Sequence, residues 1–332
     1  MGPGPGGGAL PRPAGDRPAA PARRGRRRAG RRRGRGGRGT GGAAPGHRAG
    51  DRGALGGGRP RVRATGNLAE RTDDPRVHGF SRRAGGRARV GALVLHGFTA
   101  TPLTVAGWAE ELHRAGADVE VPLLPGHGTT PADCDRTTWG EWLAAATGAL
   151  SRLDNEVVVV AGISMGGGLA LRLAQLHPDR VHALALANPA VALDPLRTLA
   201  VATLGRVAPT WPAIAGDLAD PGAAVLAYDR TPLRALVSQV AGWAEVRRDL
   251  ARVHQPLLLM RSRVDHVVPP VSARTVRRGV SSRDVTEVVY LNGFHEITSD
   301  LDADAVHAAT VRFARRVSAG PAGSSGPAGA PA

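Results

Sequence analysis

A hydroxyl becomes a nucleophile at neutral pH when a base takes its proton, and the base needs a third group to fix its orientation. This chain offers such a set in Ser164, His295 and Asp265. Ser164 stands in Gly162-Ile163-Ser164-Met165-Gly166-Gly167. The flanking glycines suit a serine on a very tight turn, because small neighbours let the backbone close on itself without Cβ clashes. Asp265 stands in Arg263-Val264-Asp265-His266-Val267-Val268-Pro269-Pro270, and His295 in Leu291-Asn292-Gly293-Phe294-His295-Glu296. The chemistry implied is acyl transfer through a covalent serine intermediate, with imidazole as general base. His266 is the rival base, but a side chain next to Asp265 on an extended segment points away from it. His127, between Gly126 and Gly128, reads as a loop-structuring histidine, and His96 as one that bonds its own loop. The negative charge that develops on the attacked carbonyl needs N–H donors. The backbone N–H groups of Met165, directly after the serine, and of Phe98, in His96-Gly97-Phe98-Thr99, are the candidates.

These loops need a frame. Val157 to Val160 form an uninterrupted apolar run, as a parallel strand covered on both faces requires. Leu169, Leu171, Leu173 and Leu176 follow in a helical pattern, so Ser164 falls at a strand-to-helix turn with free N–H groups pointing at it. Further strands are expected at Val77–Ser81 as an edge, Val90–Leu95, Asp118–Val121, Val181–Leu186, Leu257–Met260 and Thr286–Leu291. Helices are expected over about Leu103–Ala115, Trp139–Leu153 and Ala303–Arg316. The alternation predicts an α/β fold, a mostly parallel sheet with helices on both faces. Ser164, Asp265 and His295 each follow a strand and so emerge at the same sheet edge, where such folds bind ligands. Asp300 reads as a residue starting the last helix. Residues from about 191 to 254 interrupt the alternation with several prolines and scattered large apolar residues, the pattern of a functional lid.

Charge divides the chain sharply. Residues 1–89 hold 23 arginines against 5 acidic groups, a balance of +18, and residues 90–332 hold 21 against 23, a balance of −2. The basic character therefore belongs to the N-terminal stretch and not to the domain that carries the chemistry. Residues 1–76, rich in Arg, Gly and Pro, lack the apolar side chains to offset chain entropy and are expected to be a disordered tail. Its arginines suit weak, non-specific contact with polyanions, and no aromatic residue among Arg23 to Arg38 provides a stacking platform for bases. Residues 77–318 form the expected single domain, and 319–332 a second loose end. The N-terminus lacks the apolar run of a secretory signal, and no stretch is apolar enough to span a membrane. Cys134 is the only cysteine, which excludes an internal disulfide and suits the cytoplasm. Neither metal-ligand spacing nor a dinucleotide fingerprint is present, and without any lysine there is no P-loop, so no cofactor or metal is expected.

Taken together, His96-Gly97-Phe98-Thr99 with Pro102, Leu124-Pro125-Gly126-His127-Gly128, the Ser164 motif and the Asp265 and His295 boxes resemble the α/β-hydrolase superfamily, over about residues 77–318. Within it they resemble bacterial carboxylesterases and monoacylglycerol lipases. The resemblance implies Ser164 as nucleophile, Asp265 as acid partner and His295 as base, with Phe98 and Met165 forming the oxyanion hole. It also implies a small helical cap inserted after the sixth core strand, and hydrolysis of short- to medium-chain acyl esters or monoacylglycerols, a small-molecule ester being the substrate. Similar motifs serve thioesterases, peptidases and acyltransferases. One departure stands out: Glu296 follows the histidine where this group usually carries an apolar residue, placing a charge either at the pocket mouth or in solvent.

Overall fold

The structure, a computed structural model, describes residues 68–213 and 216–319. The expectations for residues 1–67 and 320–332 lie outside the described residues. The fold takes in a short stretch that the sequence assigns to the tail. Leu68–Arg71 forms a 3-10 turn whose Leu68 is buried and donates its N–H to the Thr129 carbonyl, and a second turn follows at Pro75–His78. A lone leucine among polar residues carries no periodic signal, which is why the sequence hides this start.

In chain order the elements are β1 (Gly79–Arg82), β2 (Val90–Leu95), α1 (Ala106–Arg114), β3 (Asp118–Pro122), α2 (Pro131–Cys134), α3 (Trp139–Ser151), β4 (Val157–Ile163), α4 (Met165–Leu176) and β5 (Ala183–Ala187). The excursion follows with α5 (Pro195–Val207), β6 (Thr210–Pro212), β7 (Arg230–Pro232) and α6 (Leu233–Arg248). The chain then returns through β8 (Leu257–Ser262), α7 (Val271–Gly279), β9 (Val285–Tyr290) and α8 (Ala303–Ser318). The expected helix from Leu103 begins instead as a 3-10 turn, Pro102–Val105, and becomes α-helical only at Ala106.

Seven strands pair in the order β1-β3-β2-β4-β5-β8-β9, all parallel except β1, which runs antiparallel to β3. The valine strand β4 is central and buried along its whole length. Val158 and Val160 pack with Leu169 and Leu173 of α4 on one face, while Val159 and Ala161 pack with Trp108, Val306 and Phe313 of α1 and α8 on the other. Covering both faces removes any need for polar alternation.

Among the described residues the excursion follows the fifth strand of the sheet, β5, and not the sixth, because β1 alone precedes β2. It is also not purely helical: β6 and β7 pair antiparallel as a small ribbon, too short and proline-rich to register in the sequence. No helix of the described residues is long and apolar enough to cross a membrane.

Candidate active site

Ser164 sits between β4 and α4 with φ 53° and ψ −118°, a conformation a non-glycine residue holds only under constraint. The constraint is close packing. A Cβ on Gly162 would run into the carbonyl of Gly166, one on Gly166 into the carbonyl of Leu95, and one on Gly167 would lie 2.8 Å from Pro189 Cβ. Hydrogen bonds complete the turn: Ser164 N donates to the Ala187 carbonyl at 3.0 Å, and the Ser164 carbonyl accepts from Gly167, Gly168 and Ala190. The side chain opens onto a cavity of about 360 Å³ beneath the excursion, which is therefore a cap over the serine.

The Asp265 and His295 loops meet beside it. His295 Nδ1 lies 2.9 Å from Asp265 Oδ2, and both side chains are buried. Asp265 Oδ1 accepts the N–H groups of Val267 and Val268 at 2.9 and 2.8 Å, so the carboxylate is held by three donors. Because an ionised carboxylate only accepts, the proton of a neutral His295 ring sits on Nδ1, leaving Nε2 as the basic atom. Burial is the largest influence on His295 and disfavours its charged form; the hydrogen bond and charge of Asp265, with the charges of Glu296 and Asp217, outweigh it and raise the pKa above the ordinary histidine value. Ser164 and His295 line the same cavity, and among the described residues no hydrogen bond joins hydroxyl to ring. In acyl-transfer sites that bond tightens when substrate is bound. His266 is placed differently: its Nδ1 pairs with Asp217 at 2.8 Å and its ring packs edge-on against Phe294.

The two N–H candidates lie next to the serine. Met165 opens α4, and a Cβ on Gly97, the neighbour of Phe98, would sit 3.5 Å from Ser164 Cβ. Neither the Phe98 nor the Met165 N–H has an acceptor among the described residues. The loop is rigid from behind. His96 Nε2 accepts the Leu124 N–H at 3.2 Å, so its proton is on Nδ1 and donates to the Gly97 carbonyl at 2.9 Å. His127 then meets His96, Phe98 and Trp142 edge-on, and Phe98 packs tilted against Trp142. Burial lowers His96 to about 4 and His127 to about 3, so both are neutral packing groups at physiological pH. Among the described residues no cluster of three or more His, Cys, Asp or Glu could hold a metal.

Several residues the sequence left unassigned hold this site together. Asp217, in the cap, accepts the N–H groups of His266 and His295 on Oδ2, and its carbonyl accepts the Glu296 N–H. Asp300 is not a residue starting the last helix: its carboxylate accepts the N–H groups of Ala219 and Asp220 in the cap and of Phe294 and Leu301 in the histidine loop. Burial is the largest influence on Asp300 and opposes ionisation; the four donors overcome it and lower the pKa. The role beside the last helix falls to Asp302, which also accepts from the N–H groups of Asn292 and Gly293. Asn188, at φ 41°, donates to the His295 carbonyl at 2.8 Å from below. Tyr228 ties the returning cap to the other side of the cavity, its N–H donating to the Thr99 carbonyl and its hydroxyl to the Gly126 carbonyl. A cap aspartate gives no local sequence signal for a partner loop some 80 residues away. Glu296, the departure in the sequence, is buried on the cavity wall and does not face solvent.

Sheet order, strained serine turn and the loops at one sheet edge define an α/β-hydrolase. The family described as serine aminopeptidase, S33, matches residues 86–302, and the chain belongs to it. A thermostable monoacylglycerol lipase of Bacillus sp. (strain H-257) is 35% identical over 227 residues, covering 68% of this chain and 90% of that protein. A carboxylesterase of Bacillus subtilis (strain 168) is 22% identical over 241 residues, covering 72% and 96%. Among solved structures, one of the metagenome-derived lipolytic enzymes LipS and LipT aligns with a TM-score of 0.69 at 32% identity, covering 73% of this chain and 98% of that one.

Proposed function

We propose that Ser164, His295 and Asp265 act as nucleophile, general base and orienting acid in the hydrolysis of carboxylic esters. The protein is a serine-dependent ester hydrolase of the α/β-hydrolase class. Ser164 Oγ attacks the ester carbonyl while its proton passes to His295 Nε2, and the carbonyl oxygen, now negative, is held by the N–H groups of Phe98 and Met165. Collapse breaks the ester C–O bond and the leaving alcohol takes the proton from His295. Water then attacks the acyl-enzyme with His295 again as base, releasing the acid and restoring Ser164. The observation that carries this reading is the 2.9 Å Asp265–His295 pair opening onto the same cavity as the strained serine.

The substrate class is short- to medium-chain acyl esters or monoacylglycerols. Support comes from the lipase and carboxylesterase relatives and from a cap side of the cavity lined by Leu193, Val201, Leu204, Trp211 and Leu236. Ser164→Ala is expected to abolish p-nitrophenyl ester turnover and fluorophosphonate labelling with an unchanged circular dichroism spectrum. Labelling that persists in the variant refutes the assignment. The proposed compartment is the cytoplasm, which the single, free and buried Cys134 suits. The arginine-rich N-terminal stretch adds weak polyanion contact, on composition alone. Loss of salt-sensitive DNA retention on removing residues 1–67 is the outcome that tests it.

A further inference from the structure

Gln239 and Trp243 stand one helical turn apart on α6, on one face of that helix, and both line the cavity over Ser164. Gln239 is 2% exposed and Trp243 3%, and neither Gln239 Oε1 nor Trp243 Nε1 has a hydrogen-bond partner among the described residues. Other polar groups on the same wall are partnered. Thr231 donates to the Pro212 carbonyl, Arg197 to the Val267 carbonyl, and His266 pairs with Asp217. The face is held toward the cavity, because Trp139 N of α3 donates to Ser238 Oγ at 3.0 Å and Gln175 Nε2 of α4 to the Val246 carbonyl at 2.9 Å. A buried acceptor and a buried donor left unpaired carry a desolvation cost that apolar neighbours such as Leu236 and Leu204 cannot repay.

An acceptor and a donor on one face match a hydroxyl, which both donates and accepts; a ketone only accepts, and an alkyl chain does neither. Position says which part of the substrate would carry it, a step that rests on the proposed catalytic roles. His295 delivers the proton to the departing alcohol, so the alcohol lies against the histidine loop and the acyl chain leads away from it. Among the described residues α6 makes no hydrogen bond to that loop; it is fastened to α3 and α4 instead. A Cβ on Gly168 would lie 3.5 Å from Trp243 Nε1, and Gly168 is four residues, ~6 Å of helix, beyond Ser164. A group at that depth meets the acyl chain several carbons past the ester. We propose that Gln239 and Trp243 form a subsite for a hydroxyl on the acyl chain, so that the preferred substrates are esters of acids hydroxylated at mid-chain. Gln239 Oε1 accepts from the hydroxyl and Trp243 Nε1 donates to it. An unsubstituted chain leaves both groups buried and unpaired in the complex, and that difference is the source of discrimination.

The experiment compares kcat/KM for p-nitrophenyl decanoate, its mid-chain hydroxy and oxo derivatives and its chain-end hydroxy derivative, using the full chain. The wild type is expected to favour the mid-chain hydroxy ester over the other three. Gln239→Leu and Trp243→Phe should each lower the ratio of mid-chain hydroxy ester to decanoate about tenfold, while decanoate itself is cleaved as well as by wild type or better. A merely structural role would slow all four esters alike, and that result overturns the proposal. So does a ratio that stays unchanged in either variant, or an oxo ester cleaved as well as the hydroxy ester, since an oxo group has no proton for Gln239. Trp139 supplies the control: its buried Nε1 also lacks a partner, but its side chain does not line the cavity. Trp139→Phe should keep the ratio within about threefold of wild type, and a fall as large as that of Trp243→Phe overturns the proposal. Failure of the catalytic reading looks different: no ester is cleaved, or labelling survives Ser164→Ala.

Discussion

The floor and the roof of the cavity are built on opposite principles. The floor, the ends of β2, β4 and β5 with the start of α4, is apolar, wholly buried and packed so tightly that glycines touch carbonyls. The roof is mixed. Its α6 is anchored to α4 by Arg172, which pairs with Asp249 at 2.7 Å and Glu245 at 3.2 Å. Its α5 side leaves Leu196 80%, Leu199 64% and Trp211 49% exposed. What fastens the roof to the catalytic loops is a few polar contacts: Asp217 and Asp300 on the histidine side, Tyr228 on the side of Phe98. The floor therefore fixes the serine through shape, which tolerates almost no change. The roof fixes the histidine through carboxylates that accept backbone N–H groups, each charge-assisted bond contributing on the order of 1.5–3 kcal/mol.

Breaking the floor should have the largest effect. Gly166→Ala drives a methyl group into the Leu95 carbonyl, a backbone group with no room to yield. The expected loss is ~3 kcal/mol or more of stability together with the activity, read by denaturant unfolding. A variant with near-wild-type stability would show that the turn is less constrained than its geometry says.

Breaking the latch should be milder and selective. Asp217→Ala frees the N–H groups of His266 and His295, and kcat for a good ester should fall about tenfold with KM changed little, since the cavity walls remain. Steady-state kinetics check this, and a matching rise in KM would mean that the roof positions substrate and not the base.

The smallest expected effect sharpens the same contrast through pH. In the proposed role His295 must be neutral to accept the serine proton, so activity should fall as pH drops through its pKa, and the wild-type acid limb is expected above the ordinary histidine value of about 6.5. Asp217 is one of the charges that raise that pKa. Asp217→Asn removes the charge, lowers the pKa and moves the acid limb of kcat/KM to lower pH. A limb that stays in place would show that Asp217 acts through geometry alone.

How much of this was legible in the sequence differs by region for the same reason. The floor was almost fully readable: the four valines, the glycines around Ser164 and the position of Asp265 and His295 just past strands are local patterns with local causes. Strand ends shifted by a residue or two, as hydrogen-bonded termini do. The roof was not readable. Asp300 resembled an ordinary helix-start residue, Asp217 carried no signal at all, and β6 and β7 were too short to mark a period.

The sequence by itself pointed to Ser164, Asp265 and His295 and determined the class of sheet and the existence of a cap, because tight turns, buried strands and chain order leave marks within a few neighbouring residues. Only the tertiary structure decided that Asp217 and Asp300 bolt the cap to the histidine loop and that Glu296 faces the cavity. Each of these depends on which distant backbone N–H groups a carboxylate meets in three dimensions, and no local pattern of residues encodes that meeting.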